Sequence, residues 1–218
     1  MNLSQWVAVS TGEAEDRLEG AAVSLARLGT VEMASALRAT ARRVVILRIA
    51  FGVVWGIDAY LKWQPSFVRD FTSTIAEGAQ GQPAWLGPWF DFWHDLVARN
   101  PHLFAYGSAV AETLLAIGLI LGLARRILYV GGALWSLAIW SVPEGFGTPF
   151  MPGATDIGTA IMYAILFAAL YALEAAVNWS AWTLDGPIQK RIPSWRIVGQ
   201  PGGRALVDVS AASTDQRS

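Results

Sequence analysis

Apolar residues dominate four stretches of the chain, 44–63, 103–123, 127–142 and 157–177, and polar residues collect between them. A helix needs about 20 mostly apolar residues to cross a bilayer, so the spacing predicts four membrane spans. The third is the shortest and uncharged, and its start can borrow the stems of Arg125 and Arg126, which snorkel to the interface. The first, VVILRIAFGVVWGIDAYLKW, carries Arg48, Asp58 and Lys62. A charge at the centre of a span costs roughly 2.5–3.5 kcal/mol on insertion scales. These three therefore either sit near the lipid surface or face partners inside a bundle. Pro65 is expected to end the first helix, since proline cannot donate the next hydrogen bond. A long loop, 64–102, follows. Trp85, Trp89, Phe90, Phe92 and Trp93 crowd its second half, and such rings favour the membrane–water boundary. A short interfacial helix is expected over 88–99.

Outside the spans the pattern changes. In the arm, 1–43, Leu18, Ala22, Leu25, Leu28 and Leu37 recur near helical spacing, which predicts an amphipathic helix over 13–40. It lies either on the membrane surface, on a partner, or free in solvent. Residues 143–156 form a Pro/Gly turn region. The tail, 178–218, is polar, with breakers at Gly186-Pro187 and Pro201-Gly202-Gly203, and its last dozen residues are expected to be disordered.

Basic residues give the orientation. Arg17, Arg27, Arg38, Arg42 and Arg43 lie in the arm, Arg125 and Arg126 in the 124–126 turn, and Lys190, Arg191, Arg196, Arg204 and Arg217 in the tail. The other two connections hold only Arg69 and Arg99. Alternation of basic and non-basic loops is the positive-inside pattern. It places both termini in the cytoplasm of a multi-pass protein of the inner (cytoplasmic) membrane. The expected fold is thus all-α, an integral membrane four-helix bundle with an N-terminal cytoplasmic amphipathic helix and an aromatic outer loop. The first residues lack the basic and apolar regions of a secretory signal, so the first span is expected to serve as an uncleaved anchor.

Composition agrees and excludes several chemistries. Of the 218 residues 54% are hydrophobic and only 15% charged, which fits a membrane class. A net charge of −1 offers no nucleic-acid surface. With no Cys there is no disulfide, thiol catalysis, Cys-ligated cluster or cysteine lipidation. His94 and His102 fall in the outer loop, so no span can supply a bis-His haem. A loop metal site with Asp91 or Asp95 is a weaker reading than a solvated His94, and no metal is predicted. There is no phosphate loop, dinucleotide fingerprint or zinc motif.

The remaining polar groups fall on helix faces. Asp58 and Lys62 are spaced i, i+4 and neighbour each other on the helix surface. Arg48, Trp55 and Lys62 share a stripe with Gly52. Ser108 and Glu112 share a face in the second span, with Glu112 near mid-depth. Asp156, Thr159, Tyr163, Phe167, Leu170 and Glu174 line one face of the fourth. An ionisable group inside a membrane is a functional candidate by default. The alternative is structural: Asp58–Lys62 as a neutralised packing pair, Glu112 held protonated, and Arg48 and Glu174 interfacial or paired.

The run Arg48-x3-Gly52-x2-Trp55-x2-Asp58-Ala59-x2-Lys62-Trp63-x-Pro65-x-Phe67 resembles the DoxX/DoxD family of small membrane proteins. So does Glu112-x5-Gly118-x3-Gly122-x2-Arg125, and Asp156-Ile157-Gly158-Thr159 leading into Tyr163 resembles the DoxD branch. The likeness covers roughly residues 44–177. It implies a four-helix membrane bundle and, for the DoxD branch, a subunit of a thiosulfate:quinone oxidoreductase working with a partner subunit. On that reading a quinone is the cofactor, held by Trp55, Tyr163, Phe167 and Asp156. Glu112, Asp58 and Lys62 are the catalytic candidates that move its protons, and Lys62 also attracts an anionic donor. The competing reading is a non-catalytic scaffold or accessory subunit of a larger membrane complex, docking through the arm, the tail and the aromatic loop. Lipid, and either a partner subunit or further copies of the chain, are the expected partners.

Overall fold

A computed structural model of the protein describes residues 3–147, 149–151, 153, 155–177 and 182–202. Among these residues there are eight α-helices and no strand. The helices are α1 Leu3–Lys62, α2 Pro65–Gly78, α3 Gly87–Ala98, α4 Pro101–Leu121, α5 Arg125–Ser141, α6 Ala160–Val177, α7 Asp185–Arg191 and α8 Arg196–Gly199. Short 3-10 turns occupy Ala84–Leu86, Gly145–Gly147 and Pro193–Trp195. Arg43–Val207 forms one compact unit, and the part of α1 before Arg43 belongs to another.

The four apolar stretches are each occupied by a helix. Two of them, α1 over Arg27–Lys62 and α4, are long and apolar enough to cross a membrane. With 17 and 18 residues, α5 and α6 rise only about 26 Å at 1.5 Å per residue, a little under a typical hydrocarbon thickness. The arm and first span are one helix rather than two. Residues 34–50 hold no Gly or Pro and are rich in Ala, Arg and Leu, so nothing in them stops a helix. Leu28, Val31, Met33 and Leu37 of this arm are exposed. The side chains of Leu18, Ala22 and Leu25 lie outside the described residues, as do the last dozen residues of the tail, expected to be disordered.

The expected loop 64–102 is mostly helical. Pro65 stands at the first turn of α2, where its missing N–H would have had no partner and its fixed φ suits the helix. Residues Phe67, Phe71 and Ile75 then repeat every fourth position and face inward. The aromatic helix α3 begins one residue before the expected start.

Two cores result. In the larger, Phe51 and Trp55 of α1 meet Leu115 and Leu119 of α4, Tyr129 of α5, and Phe167 and Leu170 of α6. Phe51 and Phe167 pack edge to face at 4.8 Å, and Trp55 lies 5.8 Å from Phe167. The smaller joins Phe71 and Ile75 of α2, Val97 of α3, Ala105 of α4 and Val142. Close approaches rest on glycine. A Cβ on Gly52 would lie 2.8 Å from Ile120 Cγ1 and 2.9 Å from Leu119 Cβ, whereas one on Gly56 would first meet Ala116 at 3.9 Å. Gly52→Ala should therefore lower stability by about 1–3 kcal/mol through overpacking. Gly56→Ala should raise it by about 0.5–1 kcal/mol through helix propensity. Thermal unfolding of the two variants checks this, and the same sign for both would contradict it.

Glu144, Gly147 and Gly158 place the start of α6. Both Glu144 carboxylate oxygens accept from the Ala160 N–H, at 3.2 and 3.0 Å. Gly158 has φ +86°, and a Cβ on Gly147 would lie 1.9 Å from the Ile157 carbonyl carbon. The helix consequently begins at Ala160, three residues after the expected start. Asp156 precedes it, and its Oδ1 accepts the Gly158 N–H.

Candidate functional site

Charge and grease have exchanged places in the compact unit. Arg48, Glu112 and Asp185 are fully buried, and Arg125 and Glu174 nearly so. Meanwhile Ile46, Val53 and Ile57 of α1, Val110, Leu114 and Ile117 of α4, Val130 and Leu134 of α5, and Met162 and Ile165 of α6 are exposed. Contiguous exposed apolar surface of this kind marks an interaction with lipid or protein. Buried charges must be paired or hydrogen-bonded, and four of the five are paired with one another.

Those four make one cluster at the end of the unit where α4 turns into α5. Glu174 of α6 takes Arg125 Nη1 at 2.7 Å on one oxygen and Arg48 Nη1 at 3.4 Å on the other. Asp185 at the start of α7 accepts from Arg125 Nε at 2.9 Å, the Ala124 N–H at 2.7 Å and Trp195 Nε1 at 2.8 Å. Arg48 Nη2 donates to the Trp182 carbonyl at 2.8 Å. Formal charges cancel. The local backbone is shaped to permit this: Gly122 and Ala124 are both left-handed, and a Cβ on Gly199 would lie 2.7 Å from the Asp185 carboxyl carbon. Arg125, expected to snorkel, is instead drawn inward, because Glu174 and Asp185 together satisfy it better than the interface would. Asp185 escaped the sequence reading altogether. Its only signal is an isolated acid between the apolar Trp182-Thr-Leu and a Gly-Pro helix start.

Glu112 is the fifth buried charge and stands apart from the cluster. Ser108 Oγ donates to its Oε1 at 3.5 Å, and its Oε2 has no hydrogen bond. The carboxyl forms part of the wall of a cavity of about 340 Å³. Four helices build that cavity: Phe67, Phe71, Thr74 and Ile75 come from α2, Trp93 and Val97 from α3, Phe104 and Ser108 from α4, and Trp135, Ala138 and Ile139 from α5. Val142 and Pro143 after α5 and Lys62 at the end of α1 complete it, the Lys62 ammonium lying 4.8 Å from the Phe67 ring centroid. Trp135 lies beside Glu112. The buried Nε1 of Trp93 has no hydrogen bond among the described residues, like Glu112 Oε2, and the buried Nε1 of Trp135 is near the Glu112 carboxyl without meeting hydrogen-bond geometry. Trp63 Nε1 donates to Thr113 Oγ1 at 3.1 Å and holds the end of α1 against α4.

The other expected site residues are distributed differently. Asp58 is half-buried, within electrostatic reach of Glu112 but not in ion-pair contact with Lys62. Trp55 and Phe167 are completely buried in the aromatic core, with Tyr163 at its edge, 5.6 Å from both Phe51 and Trp55. None of the three lines the cavity. The slot expected between them is filled by the rings themselves, since large aromatics on facing helices close the gap they would have lined. Asp156 is exposed in its turn, off the α6 face. His94 is exposed beside Asp95, 3.7 Å away, and His102 stacks on Tyr106.

Ligand pockets are typically 300–1,000 Å³, mostly apolar, with a few placed polar groups. Here two tryptophans, Glu112, Lys62 and the hydroxyl side chains Thr74 and Ser108 share the wall with an otherwise greasy lining. That set suits a flat, largely apolar molecule bearing carbonyl or hydroxyl oxygens. No protein-family model, curated protein or solved structure matches the chain.

Proposed function

We propose that the chain is a membrane-embedded helical subunit that binds a quinone in the Glu112 cavity, within a quinone-linked redox complex. The observation that carries this reading is the buried Glu112 carboxyl, its Oε2 without a hydrogen bond, in the wall of a mostly apolar chamber that Trp93 and Trp135 also line. The apolar exterior of α1, α4, α5 and α6 supports the membrane assignment, and the resemblance to the DoxX/DoxD family supports the quinone. The indoles of Trp93 and Trp135 hold the carbonyl oxygens. Reduction of a quinone to a quinol takes up two electrons and two protons. Oxidation of two thiosulfates to tetrathionate, or of a related small reductant, releases the two electrons at a partner subunit. Glu112 delivers a proton to the bound oxygen, and Lys62 neutralises the charge that gathers at the mouth.

The test is solvent extraction of the purified protein for bound quinone, followed by donor-dependent quinone reduction in proteoliposomes with the partner present. A positioned general acid contributes about 10²–10⁴-fold, so Glu112→Gln should lower turnover at least about 100-fold with unchanged unfolding temperature. Undiminished turnover would remove Glu112 from the chemistry. A second reading, a non-catalytic accessory subunit, draws on the exposed Leu28, Val31, Met33 and Leu37 of the arm. It predicts a stoichiometric partner from native membranes and no extractable quinone.

A further inference from the structure

We infer that water and protons reach the Glu112 cavity from one side of the protein only, the side carrying α2, α3 and Lys62. The inference rests on the membrane reading above and adds a direction to it.

On the α2–α3 side, polar groups lead outward from Glu112. Lys62 is half-buried and lines the cavity itself, and Asp58, one turn earlier on α1, is half-buried within electrostatic reach of Glu112. Tyr163 of α6 is half-buried as well, within reach of Glu112, Asp58 and the turn residue Glu144. These groups form a graded path from the interior carboxyl to the surface.

On the opposite side the path is closed twice. Directly beyond Glu112 on α4, Leu115 and Leu119 are buried against Phe51, Trp55 and Phe167, with Trp55, Leu119 and Phe167 fully inaccessible. Past that layer lies the ion cluster. From Glu112 to Gly122 is ten residues, or about 15 Å of helix. In the cluster both oxygens of Glu174 and both of Asp185 already accept hydrogen bonds, so no carboxylate there is free to relay a proton. The one hydroxyl among the buried residues of that layer, Tyr129, lies beside Glu174 on the cluster side, so a proton moving that way would still have to cross Phe51, Trp55, Leu115 and Phe167, where no acid or base is placed to carry it. Access from the α2–α3 side therefore dominates.

The absence of cysteine gives a clean test. Single cysteines are introduced in the full chain, reconstituted in sealed vesicles of defined orientation, and treated from either side with a charged, membrane-impermeant thiosulfonate reagent. Arg69→Cys on α2 and Arg126→Cys on α5, both exposed, define the two sides. Ser108→Cys reports the cavity, and Thr74→Cys on its α2 wall serves as a second reporter if the first variant does not fold. The expected result is modification of the cavity cysteine from the Arg69 side at least tenfold faster than from the Arg126 side. Equal rates, faster modification from the Arg126 side, or no modification from either side overturns the inference. If Arg69→Cys and Arg126→Cys react from the same side, the membrane reading itself fails, which separates the two outcomes.

Discussion

Replacing Glu174 with Ala should destabilise the compact unit more than any other single substitution of a buried charge. The variant leaves Arg48 and Arg125 facing one vacated site, both buried, with the Arg125–Asp185 contact and the Arg48 bond to the Trp182 carbonyl still in place but the shared carboxylate gone. Removing one partner from a buried ion pair costs about 3–5 kcal/mol, because the remaining charge is uncompensated. For a chain of this size that corresponds to a fall in unfolding temperature on the order of 10 °C. Circular dichroism of the detergent-solubilised protein during heating measures it. Glu174→Gln, which keeps shape and one acceptor oxygen, should fall between Glu174→Ala and the wild type. The double variant Arg48→Met, Glu174→Leu should recover much of the loss, since replacing a whole buried pair with packed apolar groups is often neutral. A shift of less than about 2 °C for Glu174→Ala would mean that the cluster does not hold the α4–α5 end together. Loss that the double variant fails to recover would instead point to the geometry of the Trp182–Trp195 segment.

Much of this arrangement is legible in the sequence, but unevenly. Hydropathy finds the four long helices because apolar runs of that length have few other uses. Scarcity of charge finds Glu112, since one acid in an otherwise apolar 21-residue helix must be accounted for. Helical periodicity brings Trp55, Tyr163 and Phe167 to one place, correctly, yet periodicity says only which residues share a face. Whether facing rings meet or leave a gap depends on helix separation, and here Gly52 and Gly132 let the helices close until Phe167 fills the space. A Cβ on Gly132 would lie 2.3 Å from the Phe167 ring. The gap opens elsewhere, where α2 and α3 are wedged against α4 and α5. The sequence hides that wedge because Pro65 suits a helix start as well as a helix stop. Asp185 and the inward turn of Arg125 depend on contacts across 60 residues, which no local pattern encodes. Asp156 leaves the α6 face because Glu144, 16 positions before Ala160, caps the helix there.

Ala138→Trp should abolish quinone binding while leaving the fold intact. Ala138 lines the cavity from α5 on the same wall as Trp135, and an indole there occupies the chamber itself. Because the space is already open, the new ring fills a gap rather than displacing packed atoms, so the unfolding temperature should hold or rise. Affinity for a short-tailed quinone analogue, measured by quenching of tryptophan fluorescence or by calorimetry, should fall at least about 100-fold, equivalent to about 2.7 kcal/mol. Leu134→Trp is the matched control. It adds the same ring one turn away on the exposed face of α5 and should change neither binding nor stability. The comparison with Glu112→Gln separates two roles of one chamber. On the proposed reading, filling it should remove binding, whereas neutralising its carboxyl should leave the ligand bound and stop proton delivery. Wild-type affinity in Ala138→Trp would place the quinone outside this cavity, and Glu112 would then lose its claim to the chemistry along with the chamber that surrounds it.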